Sequence, residues 1–308
     1  MYCFYFSFKM IMTFLGTSCM VPTKERNVTG IFLKYRNEGI LFDCGEGTQR
    51  QMNIAGIKRH EVTKILISHW HADHVSGLPG LLQTIGNMVE DARVELYGPK
   101  ETKERIAHMM KMTVFESKVD LKIKELEPGG LEKFFENDDF ILEAVKLKHN
   151  TPCIGFRFTE KDRRRINMAK AKKLGLREGP LIGKLQQGNS IELKGKKIKS
   201  DDVSYIVKGK KIAVMLDTTF CENTIKLAQD ADLLVAESAF LDELAEKAEK
   251  FKHMTAKQCA LVASNAGAKK LILTHFSQRY KTAEPLLQEA RDIFPETEAA
   301  YDFMKVKL

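Results

Sequence analysis

The sequence predicts an α/β protein of the αββα type, with two β-sheets packed face to face and helices covering their outer faces. Two observations carry that expectation. Blocks of short β-favouring runs, each trailed by a helical stretch, recur in both halves of the chain. The length of 308 residues sits at the upper limit for one large core, so a single domain with an insertion is as admissible as two domains. The adopted reading is one domain over residues 1–308, with residues 157–200 as an inserted, protruding arm. A doubly wound parallel sheet fits the pattern less well, and no internal repeat is evident.

Taken in order, Met12–Leu15, Gly30–Tyr35 and Gly39–Asp43 are short runs rich in Ile, Leu, Phe and Tyr, and they read as strands. Gly45-Glu-Gly47 closes the third, and Thr48–Ala55 reads as a helix. The apolar run Lys64–Ser68 is a strand that delivers His69. Leu78–Met88 reads as a helix, with Pro79 in the first turn, where a missing N–H is tolerated. Arg93–Tyr97 is a strand. Lys100–Met112 puts Ile106, Met109 and Met110 on one helical face, and the methionines around it are packing residues. Phe140–Leu147 alternates as a strand should and ends at His149. Beyond residue 157 the pattern breaks. Glu160–Leu174 reads as a basic helix, Gly175–Gly188 is punctuated by Gly and Pro, and Ile191–Ile198 is hairpin-like. This stretch has few apolar residues and is expected to lack a core of its own. Lys211–Leu216 and Leu233–Glu237 are buried strands. Leu241–Lys252 and Ala256–Ala266 are amphipathic helices, and Lys270–Thr274 is a strand ending at His275.

Composition excludes several classes. Apolar and charged fractions of 44% and 29% are ordinary for a globular protein. The six cysteines form no CxxC pair, which argues against a disulfide framework and for a reducing compartment, hence an expected cytoplasmic location. No apolar run reaches the ~20 residues needed to cross a bilayer, so no membrane partner is expected. The greasy residues 1–9 make a poor signal peptide, because Lys9 interrupts them and no basic leader precedes them; an extra strand run or a start at Met10 or Met12 are the other readings. The net charge of +8 is concentrated. Arg157–Lys211 holds 17 Lys and Arg against 6 Asp and Glu, while the rest of the chain is slightly acidic. Such asymmetry suits a polyanionic partner, although a solvated lysine-rich surface would give the same count.

His69-Trp70-His71-Ala72-Asp73-His74 packs three imidazoles and a carboxylate into six residues at the end of a strand. Imidazole is a preferred zinc ligand and a carboxylate neutralises charge, so the cluster reads as a site shared by two metals and points to metal-assisted hydrolysis. His149, His275 and Asp217 also stand just past strand ends, where loops of layered α/β sheets converge on ligands. His60 and His108 lie in polar, helical surroundings and read as surface residues.

The pattern His-x-His-x-Asp-His with later His, Asp and His resembles the metallo-β-lactamase superfamily. Within it, the chain resembles the ribonuclease Z family of tRNA 3′-processing endonucleases over essentially its whole length. Phe14-Leu-Gly-Thr-Ser18 with Pro22-Thr-Lys24-Glu-Arg26-Asn27 is similar to the family's loop near the tRNA 3′ end. Leu41-Phe-Asp43-Cys-Gly45-Glu46-Gly47-Thr48-Gln49 resembles its second signature, and Gly179-Pro180-Leu-Ile-Gly-Lys184-Leu185-Gln-Gln-Gly188 the tip of its tRNA-gripping arm. His-x-His-x-Asp-His alone identifies only the superfamily.

The resemblance implies two zinc ions per subunit, one on His69, His71 and His149, the other on Asp73, His74 and His275, with Asp217 bridging. It implies that Asp43 orients a ligand imidazole and that Asp73 takes the proton of the attacking water. His253 becomes the general acid, supported by Glu237. Two departures stand here: the family's His-Glu-Ala-Thr reads Ala236-Glu237-Ser-Ala239, and its His-Ser-Thr reads His253-Met254-Thr255. Lys24, Arg26 and Asn27 on the loop, and Arg163, Arg164, Arg165, Gly179, Pro180 and Lys184 on the arm, are implied tRNA contacts. The activity implied is removal of the 3′ trailer from precursor tRNA, leaving a 3′-hydroxyl on the tRNA and a 5′-phosphate on the trailer, by a homodimer in which one subunit's arm holds tRNA for the other's site. Plainer alternatives stand beside these: Glu237 and Asp43 as capping or turn carboxylates, Lys24 and Arg26 as exposed loop charges, and the whole chain as a small phosphodiester or thioester hydrolase of the same superfamily. A non-catalytic RNA-binding module with a structural metal is disfavoured, since seven ligands exceed one closed tetrahedral site.

Overall fold

The computed structural model describes residues 10–308 except 113, 115–117 and 194, so the expectations for residues 1–9 lie outside the described residues. The chain divides into two compact units. The larger runs to Phe135, then Leu142–Phe158 and Lys211–Leu308; the smaller comprises Glu136–Ile141 and Thr159–Lys210.

Two seven-stranded sheets form the frame. Across the first lie Lys305–Lys307, Ile11–Gly16, Gly30–Tyr35, Glu38–Phe42, Lys64–Leu66, Arg93–Pro99 and Asp120–Leu126. Across the second lie Thr297–Ala299, Leu271–Thr274, Leu233–Glu237, Lys211–Met215, Cys153–Glu160, Phe140–Leu147 and Glu132–Glu136. The sheets meet through apolar rings: Tyr35 packs edge-on against Phe158 at 5.2 Å and Phe42 against Phe156 at 6.2 Å between centroids. The outer face of the first sheet is covered by Thr48–Ile54, Leu78–Met88 and Thr102–Lys111, which bury Met52, Leu81, Leu82, Ile85 and Ile106 against it. Ala256–Asn265 and Glu284–Arg291 do the same for the second with Cys259, Val262, Leu286 and Ala290. This is the αββα arrangement that the alternating blocks predict.

Strand direction positions the chemistry. Glu38–Phe42, Lys64–Leu66 and Arg93–Pro99 are mutually parallel, with Phe42 level with Leu66. Lys211–Met215, Leu233–Glu237 and Leu271–Thr274 are likewise parallel, with Met215 level with Ala236 and Glu237 level with Thr274. Parallel strands in register end at one edge, so Asp43 and His69 leave one sheet together while Asp217 and His275 leave the other. The turn after Phe42 is tight. A Cβ on Gly45 would lie 2.3 Å from the carbonyl oxygen of Asp73, so only glycine lets this turn pass the helix Ala72–Val75.

Several expected elements differ. Glu160–Leu174 is not one helix: Arg163–Ile166 is a strand paired antiparallel with Ser204–Val207, and only Met168–Lys173 is helical. Gly175–Gly188 contains the helix Pro180–Gln186, started by Pro180. The smaller unit does have a core, made by Ala171, Leu176, Leu185, Ile191, Ile198 and Val203. Its six apolar residues are too widely spaced to show as a period. Leu241–Lys252 opens as a short 3-10 turn at Asp242–Leu244 before the helix Ala245–Phe251. Met112 is exposed rather than packed.

Candidate metal centre

At the shared edge of the sheets, seven side chains converge. His69, His71, His149 and Asp217 each offer a ligand atom within 4.8 Å of the others, and so do Asp73, His74 and His275. His69 Nε2 and His149 Nε2 lie 3.0 and 3.1 Å from His71 Nδ1. The Asp217 carboxylate joins the groups: Oδ2 is 3.6 Å from His69 Nε2, while Oδ1 is 3.2 Å from His275 Nε2 and 3.5 Å from His74 Nε2. Asp73 Oδ2 stands 3.4 and 3.5 Å from His74 Nε2 and His275 Nε2.

Their remaining atoms are fixed from behind. Asp43, fully buried, accepts the Ser68 N–H at 2.7 Å and the Ser68 hydroxyl at 2.6 Å, and its Oδ2 is 2.6 Å from His74 Nδ1. With Nδ1 so engaged, His74 turns Nε2 forward. Asp43 is thereby occupied, although it also lies within ligand reach of His69 and His74. His149 Nδ1 meets the Lys252 carbonyl at 2.9 Å, which leaves its Nε2 forward too. Asp73 Oδ2 accepts the Met20 N–H at 2.8 Å. His253 Nδ1 lies 3.1 and 3.2 Å from the two oxygens of Glu237, which also accepts the N–H groups of Thr218 and Met254.

Charge follows from this packing. Burial alone would raise the Asp73 carboxyl, but His74 and His275 draw it far below the usual carboxylate range. Burial would lower His253, yet Glu237 and Asp217 raise it to about 9. His74 is likewise lifted well above its ordinary value, against burial, by Asp217, Asp43 and Asp73.

The donor set fits a metal. His74 Nε2, Asp217 Oδ1 and His275 Nε2 are buried without hydrogen-bond partners among the described residues, and both ring nitrogens lie within 3.5 Å of that oxygen. Orphaned buried polar atoms are costly, and three around one space fit a bound cation.

Comparison with known proteins agrees. Residues 10–163 match the family described as "Anti-Pycsar protein Apyc1", a span that holds the histidine cluster and His149 but neither Asp217 nor His275. A ribonuclease Z of Methanothermobacter thermautotrophicus is 41% identical over 300 residues, covering 97% of each chain. One of Crocosphaera subtropica is 41% identical over 305 residues, covering 96% of this chain and 97% of that one. The chain belongs to the ribonuclease Z family. The short form of human tRNase Z superposes with a TM-score of 0.71 at 29% identity, covering 96% of this chain and 98% of that one. The metallo-β-lactamase fold protein YhfI of Bacillus subtilis, 18% identical with a TM-score of 0.70, shares the fold. As a member of the ribonuclease Z family, the chain is a metal-dependent hydrolase of the metallo-β-lactamase fold.

The expected RNA contacts are placed unevenly. Lys24 is exposed and has no ion pair among the described residues. Arg26 is engaged inside the protein, donating to the Tyr280 carbonyl at 3.0 Å and lying over Phe276. Asn27 donates its side chain to the Glu46 carbonyl and its N–H to Asp302, which also holds Thr17 and Gln51. Arg163 pairs with Glu160 and Arg164 with Asp201, whereas Arg165 and Lys184 have no ion pair among the described residues. Gly179 and Pro180 are exposed at the start of their helix. Sequence reasoning missed Ser68, whose place between a strand and His69 was a usable signal. It also missed the Met20 N–H and Lys252 carbonyl, which any residue type could supply.

Asp43→Asn keeps the shape but removes the charge that holds His74. Metal affinity is expected to fall about 10–100-fold in a chelator competition assay; unchanged affinity would show that Asp43 merely shapes the turn.

Proposed function

We propose that the chain is a zinc-dependent endoribonuclease that removes the 3′ trailer from precursor tRNA in the cytoplasm. The observation that carries this is the pair of ligand groups sharing Asp217, in a family whose relatives are ribonucleases Z. His69, His71 and His149 would hold one zinc and Asp73, His74 and His275 the other, with one Asp217 oxygen to each. Two such ions supply charge neutralisation for an anionic phosphodiester and bring the pKa of water from 15.7 towards about 7.

The protein's own groups do the rest. Asp73, steadied by the Met20 N–H, would stand beside the attacking water and accept its proton. The bond that breaks leaves a ribose 3′-oxygen on the tRNA, a poor leaving group unless protonated. His253 supplies that proton. Glu237 holds its Nδ1–H and favours the charged ring, leaving Nε2–H for the departing oxygen. The departures at Ala236, Ser238, Ala239 and Met254 from the family pattern leave this pair intact, because the contact uses only His253 and Glu237. The products are a tRNA 3′-hydroxyl and a trailer 5′-phosphate.

Recognition of tRNA falls to the inserted residues 157–200 and the loop around Lys24. Phosphate contacts from Arg165 and Lys184, with Gly179 and Pro180 at the tip, would give affinity that falls with salt and carries no sequence preference. Arg163 and Arg164 act there through their ion pairs, shaping the strand that presents Arg165. The homodimer of the family would let one subunit's arm hold the substrate of the other.

Incubation of the purified protein with end-labelled precursor tRNA is expected to give one cut after the acceptor stem, abolished by chelator and restored by zinc. Uncut precursor, or cutting indifferent to chelator, would overturn this function. His253→Ala is expected to lower kcat on precursor tRNA by about 10²–10⁴. The loss on bis(p-nitrophenyl) phosphate should be far smaller, because p-nitrophenolate departs without a proton. Equal losses on both substrates would remove His253 from the role of acid.

A further inference from the structure

A cavity of about 1040 Å³ in the larger unit has no part in the chemistry described so far. His149 forms part of its wall, so it adjoins the group of His69, His71 and His149. Four lysines line it, Lys100, Lys146, Lys148 and Lys252, against two carboxylates. One of those carboxylates, Glu249, is already paired with Lys252 at 2.6 Å. Lys100, Lys146 and Lys148 are exposed and have no ion pair among the described residues. Phe220, 39% exposed, presents an aromatic face in the same wall. The volume is at the top of the ~300–1,000 Å³ range of small-ligand pockets and leaves room for more than one nucleotide.

The two flanks of Asp217 differ. On the side of Asp73 and His275 stands the loop that begins at Ser18 and Cys19, pinned by the Met20 N–H on Asp73 and by the pairing of Ser18 and Cys19 with Phe276 and Ser277. On the side of His149 stands the lysine-lined cavity. An RNA strand cut between the two ligand groups leaves one flank as tRNA and the other as trailer. We propose that the cavity is the trailer's binding site: a subsite for single-stranded RNA immediately 3′ of the cut. Lys100, Lys146 and Lys148 take successive phosphates and Phe220 stacks a base, the combination that holds single strands without reading their sequence.

This rests on the ribonuclease reading above. The test uses the full-length protein and precursor tRNAs carrying trailers of one or eight nucleotides. For the wild type, kcat/KM is expected to favour the longer trailer about tenfold, and the ratio should fall to about one in the combined variant Lys100→Ala, Lys146→Ala, Lys148→Ala. The slope of log kcat/KM against log salt for the longer trailer should become shallower by about two, at ~0.7 per single-strand phosphate contact. A retained preference in the variant would overturn the subsite. So would an equal loss on both trailers, which would assign these lysines to the tRNA body. A wild type that cuts both trailers equally well removes this inference alone, whereas one that cuts neither removes the ribonuclease reading first.

Discussion

Asp217 is a buried carboxylate with a different set of imidazoles on each oxygen, and the geometry of the centre depends on that placement. Its Oδ2 faces His69 and its Oδ1 faces His74 and His275. That placement starts with the backbone, which sets the direction in which the side chain leaves its strand. Asp217, like Asp43 and His275, leaves its strand with a positive φ. Such a conformation costs a non-glycine residue on the order of 1–3 kcal/mol and persists only where the surroundings impose it. The surroundings here are two sets of parallel strands, each ending in register at the same edge.

Behind the ligands, each group that aims a side chain does so through the atom the ligand does not need in front. Asp43 takes His74 Nδ1, the Lys252 carbonyl takes His149 Nδ1, and Glu237 takes His253 Nδ1. The consequence is a common polarity: the Nε2 atoms of three histidines from distant parts of the chain face one space. Hydrolysis needs that polarity in two forms, lone pairs that hold cations and one N–H that protonates an oxygen. His253, like His74, has a full carboxylate behind it, whereas His149 has a backbone carbonyl.

The frame and the seven converging residues were legible in the sequence, because both announce themselves locally. An apolar run followed at once by His or Asp, as at Lys64–Ser68 with His69 or Lys270–Thr274 with His275, states both the strand and what it delivers. The internal structure of the inserted segment was not legible. Its strand Arg163–Ile166 is mostly arginine and exists because Ser204–Val207, far along the chain, pairs with it; its core residues, from Ala171 to Val203, follow no period. In the loop, Lys24 is exposed, while Arg26 and Asn27 are held by Tyr280 and Asp302, partners that no spacing rule could reveal.

The most direct test is anomalous diffraction at the zinc edge from crystals of the zinc-loaded protein. Two peaks roughly 3.5–4 Å apart, each within bonding distance of one Asp217 oxygen, are what the arrangement predicts. A single peak, or two peaks with Asp217 bound to only one, would contradict it.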